Sequence, residues 1–303
     1  MTGLIETNAL VEEHLHGGFG IDFAKCESDG FVEFAKRIKK HGVCLLFPTL
    51  ATDTPENLKR QIQRIKEAQS KLPPDAAKIG GVHLEACFLN PQKKGIHDEN
   101  QLLKPTIENY RLIEDEIIKI VTLAPELDEN FALCDYLASK GVKVSAGHCI
   151  GADLSRVSQV THLYNAMGGF THKEPSTVVS ALHDERICVE LIADMQHVQK
   201  EVVELTLKIK PDDKIILISD ALPIAHADFD SMEFCNKTIF LKNGKAVDKN
   251  GTMAGSVSFV SDIIKNLVKS GILDLQTAVK MASTNILPVE EKIYWDKDLN
   301  IFV

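Results

Sequence analysis

The sequence predicts a (β/α)8 barrel, and three observations carry that reading. Eight short apolar runs recur along the 303 residues, helical patterns lie between several of them, and polar side chains recur just where the runs end. Continuous short apolar runs fit strands buried on both faces, as in a parallel sheet, and parallel strands need crossovers of helix-forming length. The runs are Ala9–Leu15, Gly42–Phe47, Ile79–Leu84, Ile118–Leu123, Val142–Ala146, Val157–Thr161, Ile187–Ala193 and Lys214–Ser219. Eight such units favour a barrel over a doubly wound sheet, which the same pattern also permits.

Between the runs, Pro55–Ser70 opens with a cap-like Thr54 and a proline at the first position, a helix start. Leu127–Lys140 reads as a helix that stops at Gly141. The unit around the sixth run is the shortest. After the eighth run, Thr238–Leu241 and Lys245–Val247 flank Asn243-Gly244, which signals a hairpin. Val257–Ser270 and Leu275–Ser283 then read as helices packed outside the barrel. No Pro/Gly-rich linker divides the chain, so residues 1–303 are expected to form a single domain carrying the hairpin near 238–247 and the helices within 257–283.

Bulk composition narrows the function classes. The formal net charge is −9, which argues against nucleic acid or anionic membrane as a partner. The seven cysteines are scattered without a CxxC pair, as in a reducing cytoplasm. No stretch approaches about 18 uninterrupted apolar residues, and the first residues lack a signal-peptide pattern. A core of this size needs no structural metal, so a metal must be argued from chemistry.

That chemistry sits at the ends of the runs. The first ends in His14-Leu-His16, the third in His83-Leu-Glu85, the fifth in Ala146-Gly-His148, the sixth in Thr161-His162 and the eighth in Ser219-Asp220. In a barrel the C-terminal strand ends converge on one face, and residues two apart on a strand point the same way. Imidazole and carboxylate donors gathered there suit Zn²⁺ or a similar first-row cation. Asp220, ionised beside a cation, is the candidate general base, although its place before Ala221 also suits a helix N-cap. Gly17-Gly18-Phe19-Gly20 reads as a sharp turn over the site, since its spacing departs from the phosphate-binding fingerprint. Cys87, Cys149 and Met253 read as packing residues on composition.

With these residues assembled, the chain resembles the N-acetylglucosamine-6-phosphate deacetylases of the amidohydrolase superfamily, from about His14 to about Thr284. The most specific block is Thr161-His-Leu-Tyr-Asn-Ala-Met167, followed by His172-Lys-Glu-Pro175. Further matches are His83-Leu-Glu85 with Lys94-Gly-Ile-His97, Thr122-Leu-Ala-Pro-Glu126, Ala146-Gly-His148, Ile192-Ala-Asp-Met-Gln-His197, Ser219-Asp-Ala221 and Gly251-Thr-Met-Ala-Gly-Ser256. The resemblance implies a metal-dependent barrel hydrolase that cleaves the N-acetyl group of N-acetylglucosamine 6-phosphate. It implies that Glu85, His148 and His162 hold the principal metal, that His14 and His16 permit a second, and that Asp220 is the acid/base. The ion expected is Zn or Fe, one or two per chain. His97 is implied to contact the acetamido or sugar part, Asn165 and Ala166 the phosphosugar, His197 a hydroxyl or the phosphate, and Met253 to line the pocket. Lys173 stands where the family has a phosphate-binding arginine that reaches into the neighbouring subunit, so a homodimer is expected, with a small phosphorylated amino sugar as substrate.

The sequence departs from the family at three places. Glu85-Ala86-Cys87 replaces Glu-Gly-Pro, Lys173 loses the bidentate fork of arginine, and the small β-sandwich is largely missing, with room for only a remnant strand in Ile293–Val303. Two other functions are therefore weighed beside the first: hydrolysis of a different N-acyl sugar or small amide, and non-catalytic binding of a sugar phosphate. Retention of all six metal and acid/base candidates argues against the last.

Overall fold

The computed structural model describes residues 3–303. All eight apolar runs are strands: β1 (Leu10–Leu15), β2 (Val43–Ala51), β3 (Val82–Glu85), β4 (Ile118–Leu123), β5 (Lys143–Ala146), β6 (Gln159–Val160), β7 (Cys188–Leu191) and β8 (Ile215–Leu217). They pair in parallel and in chain order. Two bonds between the end of β1 and the segment after β8 close the ring: Asp220 N–H donates to the His14 carbonyl at 2.9 Å, and His16 N–H donates to the Ala221 carbonyl at 2.8 Å. The architecture is thus the barrel the apolar runs predict, and the closure itself brings His14, His16 and Asp220 together.

Helices α1 (Ser28–Lys39), α2 (Pro55–Lys71), α3 (Ile107–Arg111), α4 (Ala132–Ser139), α5 (Thr177–His183), α6 (Lys200–Ile209), α7 (Val260–Lys269) and α8 (Leu275–Met281) surround the strands. The Thr54 side chain caps α2 by accepting the Asn57 N–H at 3.2 Å, with Pro55 in its first turn. α7 packs on β1 and α8 on β8. The core is continuous, from Leu10, Leu46 and Leu84 inside to Phe31, Phe34, Ile62 and Ile263 on the helices.

Four local expectations change. The helix expected over Leu127–Lys140 begins only at Ala132, because Asn130 and Phe131 take left-handed backbone angles (φ 55° and 57°) and break its first turn into 3-10 pieces. The hairpin about Asn243-Gly244 forms, but as the centre of a four-stranded antiparallel sheet with Ser231–Phe234 and Met253–Gly255. The tail holds two short strands, Lys292–Trp295 and Ile301–Phe302, which pair with each other and, through the first, with Ile5–Asn8. Between β5 and β6 there is no helix among the described residues, so that crossover is a loop.

Candidate metal centre

Five strand ends deliver the donors. Glu85 closes β3; His14 and His16 close β1; His148, His162 and Asp220 follow β5, β6 and β8. Those last three have left-handed backbones, φ 50°, 30° and 51°. Such angles cost about 1–3 kcal/mol each in non-glycine residues and persist where surrounding structure holds them. Here they turn the side chains inward at the strand tips. Asp220 is locked on both sides, since its carbonyl also accepts the Ser256 N–H at 2.8 Å. No helix starts at Ala221, which removes the N-cap reading of Asp220. Gly255 must be glycine for this packing, because a Cβ there would lie 2.8 Å from the Asp220 carbonyl oxygen.

The six side chains meet around Glu85. Its Oε1 lies 2.8 Å from His162 Nε2 and 3.1 Å from His148 Nε2, and those two nitrogens are 3.0 Å apart. Its Oε2 lies 3.1 Å from His16 Nε2 and 3.3 Å from His14 Nε2. Asp220 Oδ1 is 3.3 Å from His16 Nε2 and 3.5 Å from His14 Nε2. All six residues are buried.

Whether a metal fits follows from what holds each ring from behind. His148 Nδ1 donates to the Lys93 carbonyl (2.7 Å), His16 Nδ1 to the Thr49 carbonyl (3.2 Å) and His14 Nδ1 to Glu190 Oε2 (2.9 Å). Carbonyls and an ionised carboxylate can only accept, so in the neutral rings the inward Nε2 atoms carry lone pairs. Lone pairs then face the lone pairs of Glu85, an arrangement that a shared cation stabilises. Charge points the same way. Burial alone lowers the His14 pKa, yet Glu85, Glu190 and Asp220 together raise it well above the usual imidazole range. His16 is likewise pushed up to about 9, against burial, by Asp220 and Glu85. Burial raises Glu85 and Asp220, but the surrounding histidines hold both below the ordinary carboxylate range. The pocket therefore calls for positive charge, and imidazole with carboxylate is a donor set for a divalent first-row ion.

Above the donors opens a cavity of about 330 Å³. Its wall includes His97, Asn165, Ala166, His197 and Met253, so five of the six residues expected at a substrate site are there. His97 is fixed by Thr52 Oγ1 (2.8 Å), with Nε2 3.7 Å from Glu85 Oε2; burial and the neighbouring His148 lower its pKa to about 3, so the ring is neutral. His197 is held by Asp194, 2.8 Å from Nδ1, while its buried Nε2 has no protein partner. Lys173 is not on the wall; it is exposed on the loop before α5. Gly17 and Gly18 form a close turn rather than a phosphate cradle, with a Cβ at Gly17 falling 2.1 Å from the Ile21 carbonyl. Cys87 and Cys149 are buried thiols that burial pushes up to about 12, which keeps them inert.

Three features of the site escaped the sequence reading. Glu190, inside the seventh apolar run, bonds both His14 and the His162 N–H (3.1 Å); a lone carboxylate in such a run was the available signal. Beneath the donors His83, Thr122, Thr161 and Ser145 form a bonded polar layer across β3 to β6, with contacts of 2.6–2.8 Å. Lys93 is the only lysine or arginine on the cavity wall among the described residues, and Phe234, from the antiparallel sheet, packs its ring 5.3 Å from that of His16.

Comparison with known proteins gives this geometry its context. No protein-family model matches the chain. It is 29% identical over 260 residues to the N-acetylglucosamine-6-phosphate deacetylase of Bacillus subtilis, covering 82% of this chain and 66% of that protein. It is 32% identical over 244 residues to the protein of that name from Rattus norvegicus, covering 73% and 58%. The chain thus spans about two thirds or less of the length of these two curated relatives. In three dimensions it superposes with TM-score 0.90 and 25% identity on a mutant N-acetyl-D-glucosamine-6-phosphate deacetylase from Mycobacterium smegmatis in complex with N-acetyl-D-glucosamine-6-phosphate, covering 98% of this chain and 84% of that one. Sequence and fold agree in likening the chain to the N-acetylglucosamine-6-phosphate deacetylases.

Proposed function

We propose that this chain removes the N-acetyl group of N-acetylglucosamine 6-phosphate, releasing acetate and glucosamine 6-phosphate. The observation that carries this reading is the convergence of Glu85, His14, His16, His148, His162 and Asp220 at the floor of a sugar-sized cavity. The superposed Mycobacterium smegmatis protein holds that phosphosugar on the same fold.

A divalent cation held by these side chains would polarise the acetyl carbonyl and acidify a water beside it. Asp220, kept ionised by His14 and His16 against the effect of burial, accepts a proton as the water oxygen attacks the amide carbon. It returns that proton to the sugar nitrogen as the C–N bond breaks, so water is divided between acetate and the free amine. His97 is positioned over the donors to contact the acetamido group. Asn165, Ala166 and the open Nε2 of His197 line the side of the cavity available to the sugar hydroxyls and the phosphate, and Met253 closes it.

Zn or Fe suits the imidazole-rich donors, with Glu85 offering one oxygen to His148 and His162 and the other to His14 and His16. Lys173, exposed and outside its own chain's cavity, supports a homodimer in which it reaches the partner's site. Seven cysteines without a disulfide support a cytoplasmic location, and none of the described helices is long and apolar enough to cross a membrane. The altered loop Glu85-Ala86-Cys87 favours testing other N-acyl sugars beside the first.

Metal-loaded protein should be assayed for acetate release from phosphorylated and unphosphorylated N-acetylhexosamines. The highest kcat/KM is expected on N-acetylglucosamine 6-phosphate. Binding of that sugar without any acetate release would reject the hydrolytic reading in favour of a binding protein.

A further inference from the structure

Glu190 lies at the centre of β7, fully buried, in a run that is otherwise apolar apart from Cys188. Its Oε2 accepts the His14 Nδ1–H at 2.9 Å and the His162 backbone N–H at 3.1 Å. Its Oε1 accepts a Gln159 Nε2–H at 2.7 Å. Gln159 also donates to Glu13 Oε1 at 2.8 Å, and Glu13 pairs with Lys143 at 3.0 Å. The carboxylate is therefore held from below while it holds two of the six donors from behind.

The two partners fall on different sides of Glu85. His14 faces Glu85 Oε2 together with His16 and Asp220, whereas His162 faces Oε1 together with His148. His16 and His148 lean on backbone carbonyls, which persist whatever the side chains. His14 alone depends on a side chain, and a charged one. Removing that charge weakens the bond that orients the ring and makes its Nε2 a weaker donor. At His162 only a backbone N–H is affected, in a segment also held by the turn from Asn165 N–H to the His162 carbonyl (2.9 Å).

We propose that Glu190 is a positioning residue that sets the affinity for a second divalent cation at His14, His16 and Asp220, and so decides whether the chain works with one ion or two. The proposal rests on the metal-centre reading above and is independent of which sugar is hydrolysed.

The 303-residue chain stripped of metal is equilibrated with Zn²⁺ over a range of buffered free concentrations, and bound zinc is counted by elemental analysis. Wild type is expected to fill in two steps. Glu190→Gln should weaken one step about 10- to 100-fold, the usual effect of losing a carboxylate behind a ligating histidine, and leave the other in place. Glu13→Gln, two hydrogen bonds further down the same network, should leave both steps unchanged and controls for general loosening. If Glu190→Gln does not fold by near-UV circular dichroism, Glu190→Asp, which retains charge but withdraws it from His14, is used with the same expectation. Equal weakening of both steps, the same loss in Glu13→Gln, or a wild-type chain that never takes up more than one equivalent would each overturn the proposal. Zinc counting involves no substrate, so two-step filling in a chain that releases no acetate would sink the proposed function alone.

Discussion

Asp220→Asn separates chemistry from scaffolding at this site. Asp220 sits at φ 51°, a region that asparagine tolerates about as well as aspartate, and its backbone bonds to His14 and Ser256 do not involve the side chain. The amide is nearly isosteric, so fold and most substrate affinity should survive. Two imidazole contacts, at 3.3 and 3.5 Å, connect Oδ1 to His16 and His14, while Glu85, His148 and His162 do not depend on it. The cation held by Glu85, His148 and His162 should therefore remain, and any loss should fall on the His14 and His16 side. What the amide cannot do is accept a proton, and loss of general acid–base catalysis typically lowers turnover by about 10²–10⁴, or roughly 2.7–5.5 kcal/mol in the barrier. Asp220→Ala should add a cost of about 1–2 kcal/mol in stability for placing a side chain without a local hydrogen bond in the left-handed region. The assay is kcat and KM for acetate release, with zinc content and melting temperature measured on the same samples. If Asp220→Asn loses its metal and unfolds while the folded remainder stays fully active, Asp220 is a structural residue and His97 becomes the first group to test as proton carrier.

Three more outcomes are expected. Glu85→Gln should lower metal content and activity together, since both of its oxygens face imidazole donors; metal-free protein at full rate would refute this. Lys173→Ala should raise KM for a 6-phosphorylated sugar by the equivalent of about 1.5–3 kcal/mol and leave the unphosphorylated analogue unchanged, whereas equal effects would make Lys173 a surface lysine. His41, packed among Phe19, Phe259 and His226, has its pKa lowered to about 4 by burial and then by His226. Between that value and its ordinary 6.5 the unfolded chain binds a proton that the folded chain refuses, so stability should fall as pH drops through this window. His41→Gln should then lose less melting temperature than wild type between pH 7.5 and 4.5, and equal losses would show that His41 does not contribute.

The barrel was legible in the residues because strands buried on both faces must be apolar throughout, and all eight runs from Ala9–Leu15 to Lys214–Ser219 stand where strands are found. The donors were legible for a related reason: His14, Glu85, His148, His162 and Asp220 interrupt or end runs that burial alone would have kept apolar. Periodicity did not reveal Ser231–Phe234 and Met253–Gly255, short strands with no apolar run, and they supply Phe234 and Met253 to the cavity. Nor could it show the late start of α4, which two left-handed residues decide. The resemblance pointed to Lys173 as the phosphate contact, whereas the fold puts Lys93 on the cavity wall and Lys173 outside the cavity of its own chain. Only closure of the ring decided the rest, bringing Glu190 behind His14 across 176 residues of chain. Local sequence sets which segments become strands and which side chains they carry to their tips. Partners and spacing at the site arise from contacts between distant segments, and those exist only once the barrel has closed.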